Sequence, residues 1–228
     1  MKYSFSEKAH IHYLDGKRAT GITTILGVIS KPFLIPWASK MACEYVRENL
    51  KSLDDLEAVL EKAKNAHAQK RDAAGDVGKK VHLACEQFIK EKKEPQLDEQ
   101  GMKMFAHFRK WITDNKVKVL ESEKHLYSES MFLGGICDLI VEIDGQIWMA
   151  DIKTGSVSAD AFAQMSAYEM LWNEMGNKEI VFGHIILGLL KDGTFVEKRS
   201  VSNEDARNFF LAAYDIYKLK QKFDSQVL

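Results

Sequence analysis

The chain has 228 residues, of which 46% are hydrophobic and 29% charged, and its formal net charge is -1. This composition is sufficient for one substantial core, and it excludes nucleic-acid binding that depends on a globally basic surface. The cysteines, Cys43, Cys85 and Cys137, form no CxxC motif, which indicates a reducing compartment and no zinc or iron–sulfur pattern. With no apolar leader and no apolar run of transmembrane length, we expect a cytoplasmic protein that does not enter membranes.

The first thirty residues are predicted to be rich in β-strands. Asp15-Gly16 offers a hairpin turn, and the segment 20–26 is compatible with a strand or with a loop that enters a helix. His10 and His12 would share one face of a strand, but no third ligand lies nearby. We therefore favour a packing role for this pair over a metal site.

Two helices are predicted to follow the hairpin. Pro36 can occupy the first turn of a helix that runs to about Leu50. A second helix opens at Ser52 and continues toward Asp72, with a stripe of apolar residues at helical spacing.

The segment 75–78, Gly-Asp-Val-Gly, predicts a break and the restart of a helix, with Asp76 as its N-cap. His82 lies on this helix, and Lys79 and Lys80 lie in its first turn on a different side. A single helical histidine is more often a packing or surface residue than a ligand. Its position alone therefore does not assign a role to His82.

A further helix over 98–115 and a strand over 117–127 lead into the most informative stretch. Glu121 and Glu123 are two apart on this strand and are expected to share one face.

The dipeptide Asp144-Gly145 separates two apolar runs, 136–143 and 146–152, and predicts a β-hairpin with a two-residue type I′ turn. Such a turn fixes the register. Counting back from the turn places Asp138 opposite Asp151 and Ile136 opposite Lys153. Two carboxylates and one lysine would thus lie on the same sheet face.

The apolar character of both strands indicates a buried sheet, where two opposed carboxylates repel each other. They need protonation, a cationic partner or a metal ion, and hard divalent cations such as Mg²⁺ prefer oxygen ligands. We therefore interpret the pair first as a metal site. The alternative is that both acids lie solvated at strand ends.

After the hairpin, the sequence predicts a helix over 159–175, strands over 181–190 and 195–199, and a last helix capped at Ser202 that ends near Lys220. Gln164 and Tyr168 are four apart and share a helix face. The pattern predicts one α/β (α+β) domain over 1–228, with a central mixed β-sheet flanked by helices and an N-terminal helical layer. Its parts are the hairpin and helices over 1–74, a core over 75–200, and the C-terminal helix over 201–228.

Three ordered motifs resemble the PD-(D/E)xK nuclease superfamily, and more narrowly its RecB-type exonuclease branch with phage members. These are Gly135-Ile-Cys-Asp138, Asp151-Ile-Lys153-Thr-Gly155 and Gln164-xxx-Tyr168. An upstream Gly78-xxx-His82 element fits the same branch. The residues 10–45 are also similar to the opening of phage members.

The resemblance implies a restriction-endonuclease-like core and a role for each matched residue. His82, Asp138, Asp151 and the backbone carbonyl of Ile152 would ligate Mg²⁺ or Mn²⁺. Lys153 would orient or help deprotonate the attacking water, and a neighbouring divalent cation should lower its pKa. An additional acid would be Glu123, with Glu121 as the second choice. Gln164 and Tyr168 would steady the site or contact DNA, and Lys79 and Lys80 would contact the DNA backbone.

The function implied is metal-dependent exonuclease action on linear DNA with ends, in phage or bacterial recombination, repair or processing. A recombination partner such as a single-strand annealing protein fits this context. The alternatives are a structure-specific or restriction-type endonuclease with the same core, and a catalytically silent DNA-end-binding recombination module.

Overall fold

A computed structural model of the chain describes residues 1–201 and 204–227. These divide into two compact units: residues 1–29 with the described residues from 81 onward, and residues 30–80. The strands in chain order are β1 (Tyr3–Ser6), β2 (Ile11–Leu14), β3 (Lys17–Arg18), β4 (Thr20–Gly21), β5 (Lys118–Ser128), β6 (Leu133–Ile143), β7 (Gln146–Lys153), β8 (Val181–Leu189) and β9 (Phe195–Ser200). The α-helices are α1 (Ile22–Leu26), α2 (Leu34–Asn49), α3 (Leu56–Ala63), α4 (Ala66–Glu91), α5 (Glu99–Asp114), α6 (Asp160–Glu174) and α7 (Glu204–Asp224).

The larger unit is built on a mixed sheet of six strands. Strands β6, β7, β8 and β9 are successive neighbours, and the β7–β8 pair is parallel whereas β6–β7 and β8–β9 are antiparallel. Strand β5 pairs with β6 along its whole length. The parallel β7–β8 pair requires a crossover connection, which helix α6 supplies.

The sheet forks along one edge of β6. Because β5 occupies one edge throughout, β7 and β4 share the other edge. Strand β7 pairs with the last five residues of β6, whereas β4 pairs in parallel with Leu133 and Gly134 near its start. The intervening residues of β6, up to Asp138, therefore lie in the opening between the two partner strands.

Helix α6 packs on the sheet and carries much of the core. Its buried residues join apolar residues of β6, β7 and β8, together with Ile22 and Ile25 of α1 and Phe210 and Ala213 of α7. A separate three-stranded antiparallel sheet, in the order β1-β2-β3, lies at the start of the chain. Its turn at Asp15-Gly16 has positive φ at both residues, as the hairpin prediction required.

The smaller unit, residues 30–80, is helical. It contains α2, a short 3₁₀ helix at Leu53–Asp55, α3 and residues 66–80 of α4. Its buried apolar side chains include those of Met41, Val59 and Ala63. Pro36 lies in the first turn of α2, as predicted.

The predicted α/β fold with a central mixed sheet and flanking helices is confirmed, and two local predictions are wrong. Helix α4 runs without a break through the segment 75–78, so Asp76 is not an N-cap. The interruption occurs earlier, at residues 64–65 between α3 and α4. A helical glycine costs only about 1 kcal/mol relative to alanine, and the rest of a 26-residue helix can offset that. The predicted cap Ser202 lies outside the described residues.

Candidate active site

The register of the sheet places three acids in one row across neighbouring strands. The β6–β7 ladder runs from Ile143–Gln146 to Leu139–Ala150, and one more step in this register puts Asp138 opposite Asp151. The β5–β6 ladder pairs Ser122 with Leu139 and Lys124 with Cys137, which puts Glu123 opposite Asp138. The row Glu123–Asp138–Asp151 therefore crosses β5, β6 and β7.

The Asp144-Gly145 turn determines the pairing of Asp138 with Asp151. Both residues have positive φ, at 51° and 77°, as a type I′ turn requires, so the predicted hairpin and its register are confirmed. The backbone ladder ends at the fork. There the carboxylate of Asp138 accepts a hydrogen bond of 2.8 Å from the backbone N–H of Ile152, so a side chain replaces the missing backbone acceptor.

Strand β5, which places Glu123 opposite Asp138, is distorted. The register shifts by one residue between Val119 and Glu121, which marks a β-bulge at Leu120. Glu123 itself has φ 51°, a left-handed conformation that is uncommon for a residue other than glycine. Glu121 lies 2.9 Å from Lys124 Nζ, whereas Glu123 lies with Asp138.

Helix α4 brings a histidine to this row. His82 Nδ1 lies 3.6 Å from Asp138 Oδ2, well within the distance that two ligands of one ion require. Ligand atoms of His82, Glu123 and Asp138 all lie within 4.8 Å of one another. Imidazole and carboxylate donors are suitable for several divalent ions, so these three side chains fit a metal site.

Asp151 takes a different partner. Its side chain is buried, and its Oδ2 lies 2.7 Å from Lys153 Nζ in a close ion pair. The Lys153 ammonium also donates to Gln164 Oε1 at 3.2 Å, and Gln164 Nε2 donates to the Tyr168 hydroxyl at 2.7 Å. A polar chain thus runs from β7 to α6, and its lysine is held in place from two sides.

Crowding of the acids changes their proton affinities. Burial, the charge of Asp138 and that of Glu86 raise the pKa of Glu123 to about 8, although Lys90 opposes this. Burial and the charge of Asp138 raise the pKa of Asp151 to about 6, against the opposing effect of Lys153. A site that raises the pKa of two neighbouring carboxyls is short of positive charge.

Neighbouring charges also act on the pKa of Lys153. Burial lowers its pKa, but Asp151 and Asp138 more than compensate, so its pKa is raised. The lowered pKa expected from the sequence is specific to a lysine beside a bound cation.

Ile152, Lys79 and Lys80 were also predicted as site residues. Ile152 is buried on β7, and its N–H group is the donor to Asp138. Lys79 and Lys80 lie in the part of α4 that belongs to the smaller unit, and both are exposed. Lys79 Nζ is 3.8 Å from a carboxylate oxygen of Asp76.

Two features of the site were missed in the sequence. Glu86 and Lys90 form an ion pair on α4 whose charges act on Glu123; the sequence signal was their i,i+4 spacing on the helix of His82. Gly135 permits close contact between β6 and α6, because a Cβ atom there would lie 2.4 Å from Tyr168 Cε1. The Gly134-Gly135 pair inside a strand was the signal for such an approach.

The family model of the PD-(D/E)XK nuclease superfamily matches residues 44–223 of this chain. The chain belongs to the PD-(D/E)XK nuclease superfamily. Membership confirms the resemblance at the superfamily level and indicates nuclease activity with a divalent metal ion and a DNA substrate. Curated protein sequences give no match to this nuclease. None of the helices that the structure describes is both long and apolar enough to span a bilayer.

Proposed function

We propose that this nuclease is a metal-dependent DNA exonuclease of the RecB-type branch. The observation that carries metal-dependent cleavage is the acid row Glu123–Asp138–Asp151, with His82 on one side and Lys153 paired to its last member. The resemblance of the sequence motifs to the RecB-type branch supports the exonuclease assignment. A structural role is a poor explanation, because opposed carboxylates in a buried sheet destabilise the fold unless a cation joins them.

The ligands that we propose for Mg²⁺ or Mn²⁺ are His82, Asp138, Asp151 and the carbonyl of Ile152, with Glu123 as an additional acid. The close grouping of His82, Glu123 and Asp138 supports two members of this set, His82 and Asp138, and favours Glu123 as a third direct ligand. Asp151 lies outside that grouping and pairs with Lys153. When bound, such an ion lowers the pKa of a water molecule and polarises phosphate oxygens.

Lys153 is proposed as the catalytic cation of the chain itself. Its ion pair with Asp151 and its hydrogen bond to Gln164 hold the ammonium at a defined position beside the acids. A charged ammonium there can orient an attacking water and stabilise the negative charge that develops on a phosphate. Gln164 and Tyr168 act through Lys153 as positioning residues, and either can also contact DNA.

A cavity that adjoins strand β6 supports digestion from the end of a DNA strand. It has a volume of about 240 Å³ and adjoins Tyr168, Gly135 and Ile136, the part of β6 that leads to Asp138. Arg18 and the hydroxyl side chains of Thr23 and Thr24 also line it; other lining residues are apolar, glycine or histidine. A guanidinium and hydroxyls suit the phosphate of a terminal nucleotide, and Lys79 and Lys80 would contact the backbone elsewhere.

The context that we propose is phage or bacterial DNA recombination, repair or processing in the cytoplasm. A single-strand annealing protein would be a suitable partner, because digestion of a duplex from an end produces the single strand on which such proteins act.

The experiment is a digestion assay on one sequence in three forms: linear duplex, covalently closed circle, and linear duplex with each end blocked in turn. Each substrate is incubated with Mg²⁺, with Mn²⁺ and with excess EDTA. We expect metal-dependent loss of the linear duplex, survival of the circle, and protection when the attacked end is blocked.

The other outcomes correspond to the alternatives. Cleavage of the circle as fast as the linear duplex would retain a nuclease but overturn the exonuclease proposal in favour of an endonuclease. Binding to ends without digestion at any metal concentration would indicate a silent end-binding module. Undiminished digestion in EDTA would refute metal dependence.

A further inference from the structure

Helix α7 has one face that is occupied within the larger unit. Phe210 and Ala213 are buried in the core, and the Tyr214 hydroxyl donates to the carbonyl oxygen of Met131 at 3.1 Å. Tyr217, one turn further on, also packs against the core. These contacts orient the helix and leave its neighbouring face toward solvent.

That neighbouring face is apolar. Phe209, Ile216, Leu219 and Phe223 are 42%, 50%, 55% and 61% exposed. Their spacings of seven, three and four residues are those of a heptad seam, in which apolar side chains pack against a second helix. With Ala212 in the remaining seam position, the seam is about 21 Å long at 1.5 Å per residue. We call these five residues the α7 seam.

Charge is distributed unevenly along the same helix. The half before Ile216 has three acidic residues and one basic residue, and the half after it has three basic residues and one acidic residue: Glu204, Asp205, Arg207 and Asp215, then Lys218, Lys220, Lys222 and Asp224. Arg207 also lies 3.8 Å from Glu169, which reduces its effect on the acidic half. The formal charges are thus -2 and +2, with Ile216 at the boundary.

We propose that two copies of this chain associate through the α7 seam, with their α7 helices antiparallel. In this arrangement Phe209 of each copy lies near Phe223 of the other, and the two Ile216 side chains meet at the two-fold axis. The acidic half of each helix then faces the basic half of the other. A parallel pair would place like charges together, which destabilises association.

Self-complementarity is what favours a second copy over another partner. A two-fold interface must present the same patch twice, and a helix that is apolar along a seam and of opposite charge at its two ends meets that condition. The proposal is independent of the proposed exonuclease function, because no seam residue belongs to the acid row or its contacts.

The first test measures the association state of the full chain by sedimentation equilibrium over a wide concentration range. We expect a dimer for the native protein and a dissociation constant raised at least about 30-fold by Ile216→Asp, as for a central apolar interface residue. The matched control is Ile180→Asp, since Ile180 is 86% exposed outside α7. It should dimerise like the native protein, and circular dichroism should show both variants folded.

The second test determines the orientation by cross-linking. In a Cys43→Ser background, Phe209→Cys and Phe223→Cys proteins are mixed and treated with a short bismaleimide; Cys85 and Cys137 are buried. An antiparallel pair cross-links the mixture strongly and each variant alone weakly, whereas Ile216→Cys cross-links to itself.

A native protein that is monomeric at every concentration overturns the proposal, as does a dimer unaffected by Ile216→Asp. Efficient self-cross-linking of Phe209→Cys alone would overturn the antiparallel arrangement.

Discussion

Strand β6 passes two groups of titratable side chains, the acid row at Asp138 and a group of histidines near its start. In the second group, the Tyr3 hydroxyl lies 2.9 Å from His12 Nδ1 and 2.8 Å from His125 Nδ1. A hydroxyl can donate to one ring nitrogen and accept from the other, so two neutral imidazoles and one tyrosine satisfy each other. Burial lowers the pKa of both histidines, that of His12 to about 4.

The carboxyl groups of the acid row are also removed from solvent, but they cannot satisfy one another by hydrogen bonding. Its members are all acceptors when ionised, and burial together with mutual repulsion raises the pKa of Glu123 and Asp151. Lys153 supplies one positive charge for three carboxylates. Buried titratable groups with internal partners are therefore structural, whereas those that still lack a counter-charge indicate a binding site for a cation.

The largest expected effect is on catalysis in the acid row. Asp138→Asn should lower the rate of DNA digestion about 10³-fold or more, because it removes a charged ligand and keeps the shape of the side chain. The control is Asp144→Asn on the same hairpin, since asparagine tolerates the left-handed φ of 51° at that turn. Rates are compared at saturating metal. An Asp138→Asn protein within tenfold of the native rate would remove the row from the mechanism.

Lys153→Met separates turnover from metal binding. We expect the rate to fall about 10²- to 10³-fold, in the range of a lost general catalyst, whereas the affinity for Mn²⁺ changes little. Single-turnover digestion and calorimetric titration of the same preparation provide the two readouts. Equal losses in both would mean that Lys153 supports the metal site and has no separate catalytic role.

Alanine substitution of the two adjacent glycines of β6 distinguishes the histidine group from the acid row. A Cβ atom at Gly134 would lie 2.4 Å from His12 Cγ, and one at Gly135 would lie 2.4 Å from Tyr168 Cε1. Both alanine variants should lose about 1–3 kcal/mol of unfolding free energy through overpacking. Gly135→Ala alone should also lower the rate, by displacing Tyr168 and with it Gln164. Matching rates in two folded variants would contradict the positioning role of Tyr168.

The smallest expected effect is the pH dependence of the histidine group. The pKa of His12 is lowered from 6.5 to about 4, so the unfolded chain binds the proton more tightly. The stability that neutral His12 contributes is present above pH 6.5 and is lost as the pH falls toward 4. The native protein should therefore exceed His12→Gln in unfolding free energy at pH 7 by about 1–2 kcal/mol more than at pH 5. Denaturant unfolding of both proteins at the two pH values tests this, and an identical difference would refute it.

The residues of the hairpin turn made the relative positions of Asp138, Asp151 and Lys153 predictable. Asp144-Gly145 permits one short hairpin register, and period two then places Asp138, Asp151 and Lys153 on one face. The contact of His82 with Asp138 was not predictable from spacing, because a helix pattern does not say which strand the helix approaches. The family resemblance supplied that expectation.

Other features depended on tertiary context. The bulge at Leu120 and the left-handed Glu123 have no sequence signal, since neither position carries glycine or asparagine. The glycines of segment 75–78 predicted a break that helix α4 does not have, because neighbouring helical residues override a weak local preference. The pairing of Lys153 with Asp151 likewise required the sheet geometry.

If the acid row is a divalent-cation site, calorimetric titration should detect Mn²⁺ binding there. The native protein and Asp144→Asn should bind Mn²⁺ with the same affinity, whereas Asp138→Asn should bind it at least about 10-fold more weakly, which corresponds to 1.4 kcal/mol. Binding should also strengthen between pH 6 and pH 8, as Glu123 loses its proton near its raised pKa of about 8. Equal Mn²⁺ affinity in the native and Asp138→Asn proteins would show that the acid row is not a divalent-cation site.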